Sequence, residues 1–315
     1  MSRVCRRKAR RFRLLKHLVL SLAARTGVIP FRNLFDNRNP RRPVSTCSTQ
    51  ARVMLVTQSD HFYLPQYIDG ILSSGSTGID SIIILPSFSN FSSMLKHTYA
   101  LFGPILFFYM GLKHVLLIAL DCVLLVLRLP SRFSIQSIAK KHGVRCYSLN
   151  SLNHEHGLVY VKCLEPEIIF SLAAPQKFCS ELLSLPSLGC YNIHSALLPK
   201  YRGINGIFWA MMHDEQMTGF TIHKMDRDLD TGPIAVQQAV QITSTDSYDD
   251  VCRRLIAEAT PAIVAFLRRL SLVRDDLSLM KIPDDLLKRS NFYTFPKAED
   301  RREFKQLGYK FFRYL

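Results

Sequence analysis

Short apolar segments alternate with segments of helical spacing from residue 52 onward, and this alternation constrains the fold more than any other feature. The apolar segments have the length of buried strands and end at Gly, Pro or polar turns. They are residues 52–57, 80–85, 144–148, 166–172, 189–193, 218–225 and 233–242. The helical segments are residues 63–73, 131–142, 175–185 and 247–272. Buried strands separated by helices predict an α/β architecture with a doubly wound, mostly parallel sheet.

Composition and charge narrow the class of protein. Hydrophobic residues make up 48% and charged residues 21% of the 315 residues, which excludes an intrinsically disordered chain. The net charge is +16, but residues 1–52 carry +13 of it and residues 53–315 only +3. A strongly basic protein suggests nucleic acid or an acidic membrane as a partner. Here the charge belongs mainly to an N-terminal arm, and the rest of the chain is nearly neutral.

The arm, residues 1–51, is basic, poor in acids and interspersed with leucines. This composition is typical of an organelle transit peptide. Two other interpretations stay open, namely a disordered or spurious upstream extension, with Met54 as the true start, and an arm that binds nucleic acid. We therefore expect a cytoplasmic protein, or a mitochondrial or other organellar one if the arm is a transit peptide. Removal of the arm is expected to leave folding and activity unchanged.

Metal, redox and nucleotide-phosphate sites lack their sequence signatures. The eight cysteines are scattered with no CxxC pair, which indicates free thiols in a reducing compartment. His154-Glu155-His156 has the composition of a ligand cluster, but we interpret it as a solvated turn in a polar loop between strands. No metal site is predicted, and neither GxGxxG nor a Walker A motif occurs.

Residues 100–129 form a very apolar stretch. Its length would suit a transmembrane helix, but Lys113, His114 and Asp121 interrupt it and Gly103-Pro104 breaks its start. We predict two helices that line a pocket or lie on a surface, most simply a buried pair between sheet strands. The alternatives are a membrane span and an apolar lid or interfacial helix in contact with a membrane or a lipid-like acceptor.

Candidate catalytic residues occur in residues 190–240. Asn192 and His194 are two positions apart in a predicted strand, so both side chains leave the same face. They lie near its carboxyl end, where open α/β sheets bind ligands. Asp230 lies in a Gly/Pro turn just before another predicted strand. An amide, an imidazole and a carboxylate suit acyl transfer, although from spacing alone a structural role for the Asn-x-His pair is the simpler interpretation.

Three motifs in order carry a resemblance to a known family. They are Asn192-Ile193-His194, Leu197-Leu198-Pro199-Lys200-Tyr201-Arg202-Gly203 and Leu229-Asp230-Thr231-Gly232. The segment resembles the formyltransferases that use 10-formyltetrahydrofolate and act on methionyl-tRNA, glycinamide ribonucleotide or amino sugars. The resemblance implies a sheet of the formyltransferase type, an enzyme of one-carbon metabolism, 10-formyltetrahydrofolate as co-substrate and no metal. It extends weakly over residues 52–272, the expected catalytic domain.

The resemblance also implies roles for individual residues. Asn192 and a protonated His194 would stabilise an oxyanion, and His194 would move the proton of the attacking amine. Asp230 would raise the pKa of His194. The residues implied for folate binding are Ser171, Leu172, Gln176, Phe178, Met225, Asp226 and Asp228. Those implied for acceptor binding are Lys200, Arg202 and Asn205.

The chain departs from the family pattern around the second motif. Ala196 stands where the family commonly has Ser, and Asn205 lies in a segment where many members carry Pro or His. Asn205 therefore either contacts the acceptor or serves only in a turn or helix cap. Trp209, the only tryptophan, is expected in the core.

The tail, residues 273–315, has nine basic and five acidic residues from Lys281 onward, together with eight aromatics. It either contacts nucleic acid or packs back on the domain. Residues 53–280 carry a net charge of −1, which is poor for binding tRNA. The expected acceptor is therefore a small phosphate-bearing amine, such as an amino-sugar nucleotide or a glycinamide ribonucleotide-like compound. The alternatives are methionyl-tRNA as acceptor, and a formyltetrahydrofolate deformylase that transfers the formyl group to water.

Overall fold

The fold is built on a central sheet of seven strands. The computed structural model describes residues 50–75, 77–88, 91–127, 129, 131–274 and 277–313. The strands of the main sheet are β1 (Val53–Gln58), β2 (Ile79–Leu85), β3 (Arg145–Ser148), β4 (Ile168–Leu172), β5 (Gly189–His194), β7 (Met217–Lys224) and β8 (Ile234–Gln241). Two further short strands, β6 (Arg202–Gly203) and β9 (Phe292–Tyr293), pair in parallel as a second sheet.

Nine helices cover or extend the sheet within the described residues. They are α1 (Leu64–Ser73), α2 (Phe91–Val126), α3 (Ile135–Lys141), α4 (Glu155–Leu164), α5 (Ser180–Ser184), α6 (Gly206–Met212), α7 (Tyr248–Val273), α8 (Asp284–Arg289) and α9 (Ala298–Gln306). α2 is interrupted at Gly103, whose φ of 76° and ψ of 176° are not helical, so it consists of two helices joined at a kink.

The strand order is β3-β2-β1-β4-β5-β7-β8. β1 to β5 run parallel, whereas β7 and β8 are antiparallel to their neighbours. This confirms the doubly wound, mostly parallel sheet predicted from the sequence. The strand order changes direction between β1 and β4, and open α/β sheets bind ligands at the carboxyl ends of the strands beside such a point. β5 brings Asn192 and His194 toward this edge.

Both faces of the sheet are buried because alternate residues of each strand enter different cores. Val53 and Leu55 pack in the larger core, which also takes residues of α1, α6 and α7. Met54 and Val56 pack in the smaller core with residues of α4 and α5. Burial on both faces explains why the parallel strands are continuously apolar in the sequence.

The globular part begins before residue 52. Ala51 is fully buried in the larger core. Gly78, with a φ of 71°, lies so close to the Ala51 carbonyl that any side chain there would overlap it. The predicted end of the basic arm at residue 51 is therefore slightly too late. Residues 1–49 lie outside the described residues, so the nature of the arm stays a prediction.

α2 is not the buried helix pair expected for residues 100–129. After the kink, apolar side chains such as Ile105, Phe108 and Leu112 are exposed. The alternative of two helices on a surface is the one that the structure shows. Among the described residues, Ser92–Leu124 is long and apolar enough to cross a membrane by length and composition. Only 17% of an apolar stretch of 18 residues within it is buried inside the protein.

The segment around His154-Glu155-His156 is not a loop as predicted. His154 is the N-cap of α4, and Glu155 begins the helix. Its inner side is narrow, with Val161 buried and Gly157 against the backbone of residues 151 and 152. Because α4 begins with polar residues and buries only Gly157 and Val161, its sequence lacks the apolar spacing that predicts a helix.

The tail packs back onto the domain, which is one of the two alternatives left open for it. β9 pairs with β6, and Phe304 and Phe311 are buried beside Phe208 of α6. Arg301 of α9 donates hydrogen bonds of 2.8 Å to the backbone carbonyls of Tyr99 and Ala100. The aromatic residues of the tail therefore serve mainly in packing.

Candidate active site

Four polar side chains converge near the carboxyl end of β5. Asn192 and His194 come from β5 itself, and His223 lies opposite Asn192 on the antiparallel strand β7. Asp230 comes from the loop between β7 and β8, where its backbone has a φ of 55°. The structure thus brings together the three residues predicted as catalytic and adds a histidine.

Asp230 is nearly buried between the two histidines. One carboxylate oxygen lies 3.6 Å from His194 Nδ1, and the other lies 3.5 Å from His223 Nε2. The Gly203 N–H donates to the same carboxylate at 2.8 Å. Burial raises the pKa of Asp230, but the histidines and this N–H outweigh burial and bring the pKa to about 2. Asp230 is therefore an anion throughout the physiological pH range.

His194 is buried and held by one strong hydrogen bond. Its Nε2–H donates to the backbone carbonyl of Tyr201 at 2.8 Å. Burial lowers the pKa of His194 below its usual value, and the attraction of Asp230 only partly offsets this. The charge of Asp230 does raise the pKa of His194, as predicted, but burial lowers this pKa by more. Burial thus opposes the protonated form of His194 that the resemblance implies, and Asp230 favours it.

His223 also belongs to the site, although none of the three sequence motifs contains it. Its Nε2 lies 3.2 Å from Asn192 Nδ2 and 3.5 Å from the Asp230 carboxylate, and its Nδ1–H donates to the carbonyl of Lys224 at 3.2 Å. The missing signal was the strand register, since pairing β7 with β5 places residue 223 opposite residue 192. A single sequence does not specify that register.

The two segments predicted for folate binding lie side by side. Lys177, after β4, forms an ion pair of 3.6 Å with Asp228, in the loop after β7. Of the seven residues predicted to bind folate, Ser171, Leu172 and Phe178 are buried, so they offer mainly backbone groups. Asp226 accepts hydrogen bonds from the Asp228 N–H and from the Thr231 hydroxyl, which shapes the loop. Met225 donates its N–H to the Cys190 carbonyl at 2.8 Å.

Gln176 carries an unsatisfied donor in this region. Its Oε1 accepts from the Leu152 N–H at 3.4 Å, while its buried Nε2 has no hydrogen-bond partner among the described residues. A groove of about 470 Å³ lies nearby, between the β7–β8 loop and α8, lined in part by Asp226, Asp228, Thr231, Lys281 and Asp284. The acidic residues of the predicted folate turn thus face an open groove.

The residues predicted to bind the acceptor already have protein partners. Lys200 forms an ion pair of 2.9 Å with Glu215, although 66% of its side chain is exposed. Arg202 donates to the Leu229 carbonyl at 2.9 Å and to the Ser290 hydroxyl at 3.2 Å. Asn205 is the N-cap of α6 in a left-handed conformation, but its side chain makes no capping hydrogen bond.

The family departure at Ala196 has a local explanation. Ala196 is fully buried, and its Cβ would lie 2.9 Å from a Cβ at Gly206. Thr221 donates to the Ala196 carbonyl at 2.7 Å and accepts from the Leu198 N–H at 3.2 Å. The Thr221 hydroxyl therefore supports the loop. Trp209 packs against the core, as predicted, and its Nε1–H donates to the Thr294 carbonyl.

No metal centre accompanies these groups in the part of the chain that the structure describes. Those residues contain no group of three or more His, Cys, Asp or Glu side chains that could hold a metal ion. The chemistry available at the site is that of an amide, two imidazoles and a carboxylate.

The sequence comparison covers the same segment. Residues 132–267 match the family described as Formyl transferase, and this range contains Asn192, His194 and Asp230. The resemblance to the formyl transferase family is confirmed. The formyl transferase segment begins after α2, so β1, α1, β2 and α2 precede it.

Curated relatives of the formyl transferase segment are similar to less than half of this chain. The methionyl-tRNA formyltransferase of Kosmotoga olearia is 35% identical over 137 residues, 44% of each chain. That of Thermotoga sp. (strain RQ2) is 38% identical over 136 residues, 43% of this chain and 44% of the relative. The bifunctional polymyxin resistance protein ArnA of Wigglesworthia glossinidia brevipalpis is 31% identical over 122 residues, 39% of this chain and 19% of the relative. The chain thus spans less than half the length of these relatives.

Solved structures share the fold of the formyl transferase segment and its surroundings. Glycinamide ribonucleotide transformylase 1 from Symbiobacterium toebii has a TM-score of 0.52 and 14% identity, covering 75% of this chain and 96% of that one. Phosphoribosylglycinamide formyltransferase from Anaplasma phagocytophilum has a TM-score of 0.51 and 15% identity, covering 78% and 100%. These similarities show a common fold.

Proposed function

We propose that this protein transfers a formyl group from 10-formyltetrahydrofolate to the amine of an acceptor. The observation that carries the proposal is the convergence of Asn192, His194 and Asp230 at the carboxyl edge of the sheet, inside the formyl transferase segment. The co-substrate supplies the formyl group, and every other step uses side chains of this chain.

His194 is the proton acceptor, and the acting atom is Nδ1. Nε2 carries the hydrogen that is donated to Tyr201, so in the neutral ring Nδ1 has the free lone pair. Burial lowers the pKa of His194 and keeps it neutral and ready to accept a proton from the attacking amine. The proton then sits on Nδ1, 3.6 Å from the carboxylate of Asp230, which stabilises the imidazolium. As the bond between the formyl carbon and the folate nitrogen breaks, this proton goes to the departing nitrogen, so tetrahydrofolate leaves and His194 is neutral again.

Asn192 is the donor to the developing oxyanion. Its Nδ2 carries two N–H groups and has one contact among the described residues, His223 Nε2 at 3.2 Å, so at least one N–H has no acceptor there. That N–H is available to an oxygen that gains negative charge as the amine attacks the formyl carbon. One such donor is worth about 3 kcal/mol in the transition state. His223 fixes the orientation of the amide.

The folate segments fit a polar ring. The buried Nε2 of Gln176 lacks an acceptor among the described residues, and an unpaired buried donor is costly. A ring nitrogen or carbonyl that accepts from it would remove this cost. Backbone groups of residues 171–178 and of the turn before Asp230 would hold the rest of the ring, since the Lys177–Asp228 ion pair keeps the two segments together.

We propose a small phosphate-bearing amine as the acceptor. Lys200 lies beside the site, and its exposed ion pair with Glu215 is weak enough to exchange for a phosphate. The tail aromatics Phe304 and Phe311 are buried and unavailable to stack on bases. The neutral body and the packed tail both favour a small acceptor over tRNA.

Methionyl-tRNA is the second candidate acceptor. It is favoured by the sequence relatives, two of which are named methionyl-tRNA formyltransferases. Binding of charged initiator tRNA to the full chain across a salt series separates the candidates. Tight binding that weakens steeply with salt supports tRNA, because phosphate contacts release counterions. Weak binding of the tRNA at every salt concentration supports the small phosphate-bearing amine as the acceptor.

The activity itself is tested by incubating the protein with 10-formyltetrahydrofolate, with and without candidate amines. Mass spectrometry then follows formylated amines and free formate. A formylated amine supports the proposal. Formate released at the same rate without any amine identifies a deformylase, and an unchanged co-substrate in every reaction contradicts both activities.

A further inference from the structure

The second half of α2 turns its apolar side chains away from the protein. A surface helix of a soluble protein turns them toward the core. The outward residues recur at helical spacing, and each is at least 42% exposed: Ile105, Phe108, Tyr109, Leu112, Val115, Leu116, Leu120, Val123 and Val126. We call this set the outer face of α2. We propose that the outer face docks on the surface of an anionic lipid bilayer. This inference is independent of the proposed activity.

Polar residues of the same helix contact the body of the protein and fix its rotation. His114 meets His61 edge-on, with ring centroids 4.6 Å apart. Asp121 is buried and accepts hydrogen bonds from the hydroxyls of Ser131, Ser134 and Ser137. Turning the outer face inward would leave this carboxylate without partners, which is costly. The exposure of the outer face is therefore a consequence of specific contacts on the opposite side.

The size of the outer face argues for a bilayer over a second copy of the chain. From Ile105 to Val126 it runs about 32 Å at 1.5 Å per residue. At 100° per residue its members spread over an arc of about 140°. A seam between two helices uses a narrower stripe of two positions per heptad. A helix lying in the plane of a membrane interface buries a wide face of this kind.

Charge supports the same choice. Residues 91–150 contain seven basic residues and one acid, the inward-facing Asp121. Lys96 precedes the outer face, Arg132 and Lys140 follow it, and all three are exposed. These cations would attract anionic headgroups. The same cations would repel each other across an interface between two copies.

The contacts of His114 and Asp121 keep α2 alongside the body, so the helix lies in the interface and does not span the bilayer. The full chain is therefore expected to float with vesicles of phosphatidylcholine and about one third phosphatidylserine. High salt should weaken the binding, and alkaline carbonate should release the bound protein. Resistance to carbonate would show a membrane span and overturn the peripheral docking.

The decisive variant is the double substitution Leu112→Gln and Leu116→Gln in the full chain. Loss of two exposed apolar side chains should lower vesicle binding at least about tenfold. The matched control is Leu272→Gln near the end of α7, where Leu272 is 79% exposed but lies outside the outer face. The control should float like the wild type. Fluorescence of Trp209 and thermal unfolding check that each variant is folded.

Three further results would overturn the proposal. The first is a wild-type protein that stays unbound. The second is a folded double variant that floats like the wild type. The third is a wild-type dimer that becomes a monomer on substitution without any vesicle binding, which would assign the face to a second copy. If the double variant does not fold, Val115→Trp replaces it, and the absence of a blue shift on vesicle addition then overturns the docking.

Discussion

Gly203 donates its backbone N–H to the carboxylate of Asp230 at 2.8 Å. The Gly203 backbone has a φ of 98°, and a Cβ there would overlap the carbonyl oxygen of Tyr293 in β9. The neighbouring Ile204 N–H donates to that same carbonyl at 2.9 Å. The tail strand β9 therefore holds the loop that orients Asp230, although it lies far along the chain.

Gly203→Ala should lower kcat about 10- to 100-fold, because a displaced loop misplaces the Asp230 carboxylate. Gly111→Ala is the matched control, since a Cβ at Gly111 would meet nothing within 4 Å. Steady-state formyl transfer and thermal unfolding are measured for both variants. Equal rates in the two folded variants would show that the Gly203 contact does not orient Asp230.

His194→Ala and Asp230→Ala should each lower turnover about 10²- to 10⁴-fold with the fold intact, because both act on the transferred proton. His154→Ala serves as the control, as His154 is exposed and makes no side-chain capping bond. Turnover is measured by the formylated product. Near-normal turnover in either site variant would refute the assigned roles.

The pH profile of kcat/KM tests the coupling of the same two residues. Because burial lowers the pKa of His194, the acid limb of the wild-type profile should lie below pH 6.5. Asp230→Asn removes the anion that raises this pKa, so the acid limb should move to still lower pH while the maximum rate falls. An acid limb that moves upward would contradict the assignment of His194 as the base.

The Asp246–Arg254 pair should make stability depend on pH. Asp246 accepts hydrogen bonds of 2.6 and 2.7 Å from Arg254 and one of 2.8 Å from the Thr243 N–H. The Arg254 guanidinium is the main cause that lowers the pKa of Asp246 to about 2. A folded-state pKa below the usual value means that this stabilisation is present above about pH 4 and is lost as pH falls toward about 2.

Asp246→Asn should therefore lower the free energy of unfolding by about 1–2 kcal/mol at neutral pH, allowing for solvent screening of the partly exposed arginine. The difference from wild type should shrink as pH approaches 2. Urea unfolding at several pH values measures it, with the exposed Asp285→Asn as the control. A difference that does not change with pH would show that the ion pair is not its source.

Residues that carry their own signal were predictable from the sequence. The apolar runs of β1, β2 and β4 are buried on both faces, and such runs are recognisable without any tertiary information. Asn192 and His194 share a strand two residues apart, so their common direction follows from strand geometry. Asp230 was found through its motif, whereas His223 depended on the pairing of β7 with β5 and was missed as a site residue.

The sequence alone carries the alternation of strands and helices, the three candidate catalytic residues and the apolar character of α2, because each depends on local spacing and residue type. The remaining features depend on contacts between distant parts of the chain. The tertiary structure turned the apolar side of α2 outward, because Asp121 and His114 find their partners on the body. It lowered the pKa of His194, because burial depends on everything packed around the ring. It also placed β9 beside Gly203, and a contact between segments so far apart leaves no periodicity in the sequence.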